Sequence, residues 1–143
     1  MGPLFRPKPV LVALGAYVGA VSLIAFWPTP VDRPVSGTIR RVLNRLHDLG
    51  VPPWFDYSFV EFSANVTLFV PIGFLVATLL GRRLAWLAIV IGLAASVAIE
   101  SAQWMLLPQR VPSAGDVLAN TLGAAIGAAI AAIVLSRSTP HRR

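Results

Sequence analysis

The sequence predicts an all-α membrane protein: a bundle of four transmembrane helices with a short amphipathic helix in the first loop. Of its 143 residues, 56% are hydrophobic and only 13% are charged, which is too apolar for a soluble domain of this size. Four apolar runs are long enough to cross a bilayer, which takes about 20 residues of helix. We therefore expect a single membrane domain covering residues 1–143.

The four runs are expected to span the membrane at about residues 10–27, 59–80, 84–107 and 117–135. Arg6 and Lys8 precede the first run, as they would in a signal peptide. The run ends in Phe26 and Trp27 without a small-x-small cleavage pattern, so we interpret it as a retained helix.

The distribution of basic residues predicts how the chain is oriented. Basic residues are more frequent at the two termini and at the Arg82–Arg83 turn than in the other two loops. Cytoplasmic segments carry the excess of Lys and Arg. We therefore expect a multi-pass protein of the cell membrane with cytoplasmic N- and C-termini.

The first loop contains the predicted amphipathic helix, at about residues 37–50. Its apolar residues share one face and its arginines share the other. This pattern is typical of a helix that lies in the membrane interface with its arginines near lipid phosphates. The alternative is an ordinary helix packed on the mouth of the bundle.

Three acidic residues lie in or at the ends of the last three spans, and each has an amide residue one turn away. A carboxylate in hydrocarbon costs about 2.5–3.5 kcal/mol, so a function is expected for them. The up-and-down topology brings all of them to one membrane surface, together with an arginine of the third loop. The candidate ligand-binding cluster is Glu61, Asn65, Glu100, Gln103, Arg110, Asp116 and Asn120.

Each of these features also has a structural explanation. Asp116 could be the N-cap of the last helix, and Glu100 could simply form an ion pair with Arg110. Asn65 and Asn120 could join helices. Gly123 and Gly127 are four positions apart, with three residues between them, and are expected to serve helix packing.

The composition makes several other classes of site less plausible. Cysteine is absent and there are two histidines, His47 and His141, so we expect no metal site and no cofactor. The net charge is +6, and the basic residues lie mainly in loops and tails, where they can interact with anionic lipid head groups. We therefore expect the lipid bilayer, and no nucleic acid, as a partner.

Two segments resemble the VanZ-like family of membrane proteins. One is Asn65–Phe74, which reads NVTLFVPIGF. The other combines Glu100-x-x-Gln103, Arg110 and Asp116-x-x-x-Asn120-Thr121-x-Gly123, and ends at Gly127. The resemblance implies a bacterial cell-envelope protein, because the family is named for a protein linked to low-level resistance to teicoplanin, a lipoglycopeptide antibiotic. A family likeness alone supplies no mechanism.

Several functions remain open at this point. The first is binding or shielding of an amphiphilic cell-wall precursor or lipoglycopeptide at the outer leaflet. Another is an enzyme that acts on a lipid-linked substrate through Glu100 and Asp116. A third is an ion pathway, for which the inner halves of the spans offer few polar residues. The fourth is a structural subunit of a membrane complex or a homo-oligomer.

Overall fold

The computed structural model of the protein describes residues 6–27, 33–107 and 112–137. Within these ranges the chain forms five α-helices and no strand. They are α1 (Pro7–Ala25), α2 (Arg33–Asp48), α3 (Tyr57–Leu80), α4 (Leu87–Leu106) and α5 (Ala114–Arg137). All but α2 are long and apolar enough to cross a membrane. The prediction of a four-helix membrane bundle is confirmed.

The helices differ from the predicted segments mainly at their ends. α4 begins at Leu87 rather than at residue 84, because a single 3₁₀ turn at Arg82–Leu84 follows Gly81. Gly81 has a φ of 77°, which a residue with a side chain rarely adopts. α1 begins earlier than predicted, at Pro7, because proline suits the first turn of a helix.

α3 and α5 form the closest helix pair, and glycines allow their backbones to touch. A Cβ atom on Gly127 would lie 2.6 Å from the backbone nitrogen of Phe74. A Cβ atom on Gly123 would lie 2.8 Å from the Cβ atom of Phe69. The structure thus places both predicted packing glycines against α3. Gly73 of α3 lies equally close to the backbone of Ala124.

α2 lies beside the beginning of α3. Leu43 is its most buried apolar residue. The guanidinium of Arg40 lies over the ring of Tyr57, 4.7 Å from its centroid. A second link joins the end of α2 to the following turn, where His47 Nε2 lies 3.1 Å from the Phe55 carbonyl oxygen. α2 therefore packs on the mouth of the bundle, while its Val42 stays exposed.

The glycine contacts predict that bulk at position 127 disrupts the bundle. Gly127→Leu forces a side chain into the backbone of α3, and overpacking of this kind costs about 1–3 kcal/mol or more. We expect a lower melting temperature of the purified protein in detergent and a lower amount of protein in the membrane.

Gly15→Leu is the matched control, because a Cβ atom on Gly15 meets nothing within 4 Å. Both changes replace a helical glycine with leucine and differ in the space available. Equal loss of stability in the two variants would contradict the packing role of Gly127.

Candidate functional site

A cavity of about 340 Å³ lies at one end of the bundle, where α1 and α4 end and where α3 and α5 begin. Its walls are largely apolar, with residues such as Val21, Leu68 and Ile99. Arg110 lies outside the described residues, and so does its expected ion pair with Glu100. The other six predicted cluster residues all line the cavity: Glu61, Asn65, Glu100, Gln103, Asp116 and Asn120.

Asp116 connects α5 to α3. Its Oδ1 accepts a hydrogen bond of 2.8 Å from Nδ2 of Asn65. The N-cap of α5 is Ser113 and not Asp116, because the Ser113 hydroxyl accepts from the backbone N–H of Asp116 at 3.2 Å. The explanation of Asp116 as the cap of this helix is therefore wrong. Its carboxylate is turned to an interhelical contact.

Glu100 connects α4 to the beginning of α5. Its Oε2 accepts a hydrogen bond of 2.9 Å from the backbone N–H of Ser113. In a capping box, the residue three positions after the cap takes this N–H. In this protein Glu100, which lies on α4, accepts the backbone N–H of Ser113. Asp116 lies three positions after the cap, and its carboxylate accepts from Asn65 instead. The beginning of α5 is therefore linked to α4 through Ser113 and to α3 through Asp116.

Gln103 and Asn120 are the most buried members of the cluster, and each is only 7% exposed. Nε2 of Gln103 donates to the carbonyl oxygen of Ala25 at 2.8 Å. Ala25 is the last residue of α1, where carbonyl groups lack a helical donor. Nδ2 of Asn120 donates to the hydroxyl oxygen of Ser96 at 2.9 Å, and Ser96 is fully buried. These bonds connect α4 with α1 and with α5.

Glu61 differs from the other members because it is exposed. It lies in the second turn of α3, whose beginning is capped by Asp56. Glu61 therefore lines the cavity at its open end, near the beginning of α3.

Sequence reasoning left several residues of this region out of the cluster, among them Ser113, Ile39 and Tyr57. Ser113 could have been found, because Ser113-x-x-Asp116 has the spacing of a capping box. Ile39 of α2 and Tyr57 of α3 also line the cavity. Tyr57 lies one helical turn before Glu61, so helical spacing could have placed it on the same face. No local pattern places Ile39 at the cavity, because its position depends on how α2 folds back onto the bundle.

The arrangement combines an apolar wall with polar groups that come from three helices. Such a cavity suits an amphiphile, whose polar part pairs with the amides and carboxylates while its chain contacts the wall. Among the described residues, no group of three acidic or histidine side chains lies close enough to hold a metal ion.

Comparison with known proteins gives a family assignment. The model of the VanZ/LLP1 family matches residues 14–135, which include all four long apolar helices in whole or in large part and every residue of the cavity named above. No significant match was found among curated proteins or among solved structures. The match covers most of the chain, and the protein is an integral membrane protein that belongs to the VanZ/LLP1 family.

Proposed function

We propose that this protein binds the polar head of an amphiphile at the outer leaflet of a bacterial cell membrane. The amphiphile would be a lipid-linked cell-wall precursor or a lipoglycopeptide, and the protein would shield it. The observation that carries the proposal is the convergence of six polar side chains on one apolar-walled cavity.

The dimensions and chemistry of the cavity support binding. Its volume of about 340 Å³ falls in the range of small-molecule sites, about 300–1,000 Å³. The six polar residues supply amide and carboxylate groups, which recognise sugars and peptide amides through directional hydrogen bonds. Apolar residues of α1 and α3 beside them offer a surface for an acyl chain.

The orientation of the chain supports an outer-leaflet site. The cavity lies at the end of the bundle opposite the Arg82–Arg83 turn. If this turn and both termini are cytoplasmic, as the distribution of basic residues favours, the cavity faces the outside. The bilayer then delivers the ligand laterally.

A structural role is the second candidate. The side-chain amides of Asn65, Gln103 and Asn120 each donate a hydrogen bond that joins two helices. In that case the cluster would only hold the bundle together, alone or within a larger membrane complex. The two functions differ in what a charge-only change does. A purely interhelical contact tolerates loss of the charge when the hydrogen bond is kept. A site that binds a polar head group loses affinity when the charge is removed.

We expect Glu100→Gln and Asp116→Asn to reduce function strongly at unchanged protein level. Each amide keeps an oxygen that can accept the bond from Ser113 or from Asn65, so the fold is retained. Hydrogen bonds to charged groups contribute about 1.5–3 kcal/mol, so affinity should fall by about tenfold or more. The measurement is susceptibility of a sensitive Gram-positive host to teicoplanin and related antibiotics.

Asp48→Asn is the matched control, because Asp48 is an exposed acid on α2 away from the cavity lining. It should protect like the wild-type protein. Protection that survives in Glu100→Gln and Asp116→Asn would favour the structural role. Conversion of a lipid-linked substrate by the wild-type protein, lost in both variants, would instead identify an enzyme.

The orientation can be tested separately, because the chain contains no cysteine. Ser58 and Ser136 are exposed residues near opposite ends of the bundle. In intact cells, a membrane-impermeant maleimide should label Ser58→Cys but not Ser136→Cys. After permeabilisation both should react. The reverse pattern would place the cavity at the inner leaflet.

A further inference from the structure

The polar groups of the cavity are arranged as hydrogen-bond acceptors. Three amide side chains line it, and each donates one N–H of its NH₂ group to the protein. Asn65 donates to a carboxylate, Gln103 donates to a backbone carbonyl and Asn120 donates to a hydroxyl oxygen. Each NH₂ group keeps a second N–H, but no described donor reaches the side-chain oxygen, so this oxygen is the acceptor that each amide offers to a ligand.

The orientation of two of these amides follows from chemistry. An ionised carboxylate and a backbone carbonyl have no proton to donate, so the nitrogen of Asn65 faces Asp116 and the nitrogen of Gln103 faces Ala25. No donor among the described residues reaches the side-chain oxygen of Gln103, although this residue is only 7% exposed. A buried acceptor without a donor is destabilising, so a ligand donor at this position is favoured.

Asp116 adds a negative charge beside these oxygens. Its Oδ1 is bonded to Asn65, and no described donor reaches its Oδ2. Within the described ranges, no Lys, Arg or His lines the cavity, and the Tyr57 hydroxyl is the one lining side-chain group beyond the amides that can donate a hydrogen bond. A phosphate or carboxylate beside Asp116 would meet a like charge, and no cationic side chain of the described lining would offset it.

We infer that the cavity recognises a protonated primary amine carried on an apolar chain. This inference rests on the proposed binding of an amphiphile and specifies its polar head. An ammonium group has three N–H donors and one positive charge. Asp116 supplies the opposite charge, and Gln103 and Asn120 supply neutral oxygens from two further positions of the lining. The apolar wall formed by α1 and α3 receives the chain.

Phospholipid head groups provide a test that separates the effect of N–H hydrogen-bond donors from the effect of the positive charge on nitrogen. The purified full-length protein is placed in phosphatidylcholine nanodiscs that contain equal small amounts of phosphatidylethanolamine and phosphatidylglycerol. Lipids that stay bound after transfer to detergent are counted by native mass spectrometry. Phosphatidylethanolamine and phosphatidylcholine carry the same charge on nitrogen, but the quaternary nitrogen of phosphatidylcholine has no N–H to donate.

We expect phosphatidylethanolamine to be retained about tenfold over its share of the bilayer, a factor that one charge-assisted hydrogen bond supplies. Asp116→Asn should bring its retention close to that of phosphatidylcholine. Asp48→Asn, which removes an exposed acid outside the lining, should leave retention unchanged.

A second arm identifies where the amine comes from. Decylamine added from water should displace the retained phosphatidylethanolamine if an amine on a simple chain is sufficient, as on a lipopeptide. Ethylamine lacks the chain and should not displace it. Retention of phosphatidylethanolamine that decylamine leaves untouched would assign the recognised amine to phospholipid head groups.

The outcomes separate this inference from the proposed function. Retained lipid without preference for phosphatidylethanolamine, or with preference for phosphatidylglycerol, would overturn amine recognition and leave amphiphile binding intact. A wild-type protein that retains no lipid and is not protective in cells would contradict both.

Discussion

The contact between the backbones of α3 and α5 is the constraint on which the site depends. Gly123 and Gly127 let α5 approach α3 so closely that no side chain fits between them. Apolar burial gives no driving force between helices in lipid, so close packing and interhelical hydrogen bonds must supply it. The bond from Asn65 to Asp116 lies toward one end of this same interface. Packing therefore fixes the distance between two helices that carry the polar cluster.

The amide side chains of the cluster both join helices and line the cavity. Each amide joins two helices through its nitrogen, and this satisfies groups that lipid could not hydrate. The same bonds hold each side chain in one orientation beside a cavity of about 340 Å³. A preorganised set of acceptors binds a ligand without first losing its own freedom of movement. Under the proposed function, the structural and binding roles would use different atoms of the same side chains.

Helical periodicity and span length predicted most of the fold and which residues share one end of the bundle. Polar residues at steps of three and four in the last three spans pointed to Asn65, Glu100 and Asn120, which all line the cavity. The choice of hydrogen-bond partners could not be predicted in this way. That Glu100 rather than Asp116 takes the N–H of Ser113 depends on the distance between α4 and α5. The proximity of Ile39 depends on how α2 folds back.

The central claim is that an amphiphile occupies the cavity in the membrane, and site-specific photocross-linking tests it most directly. A diazirine amino acid at Leu68 reports on the cavity wall, and the same group at Leu93, an exposed position on α4, reports on bulk lipid. In growing cells, position 68 should yield an adduct that is absent at position 93 and that disappears when Asp116→Asn is added. Identical adducts at both positions, unaffected by Asp116→Asn, would contradict the account.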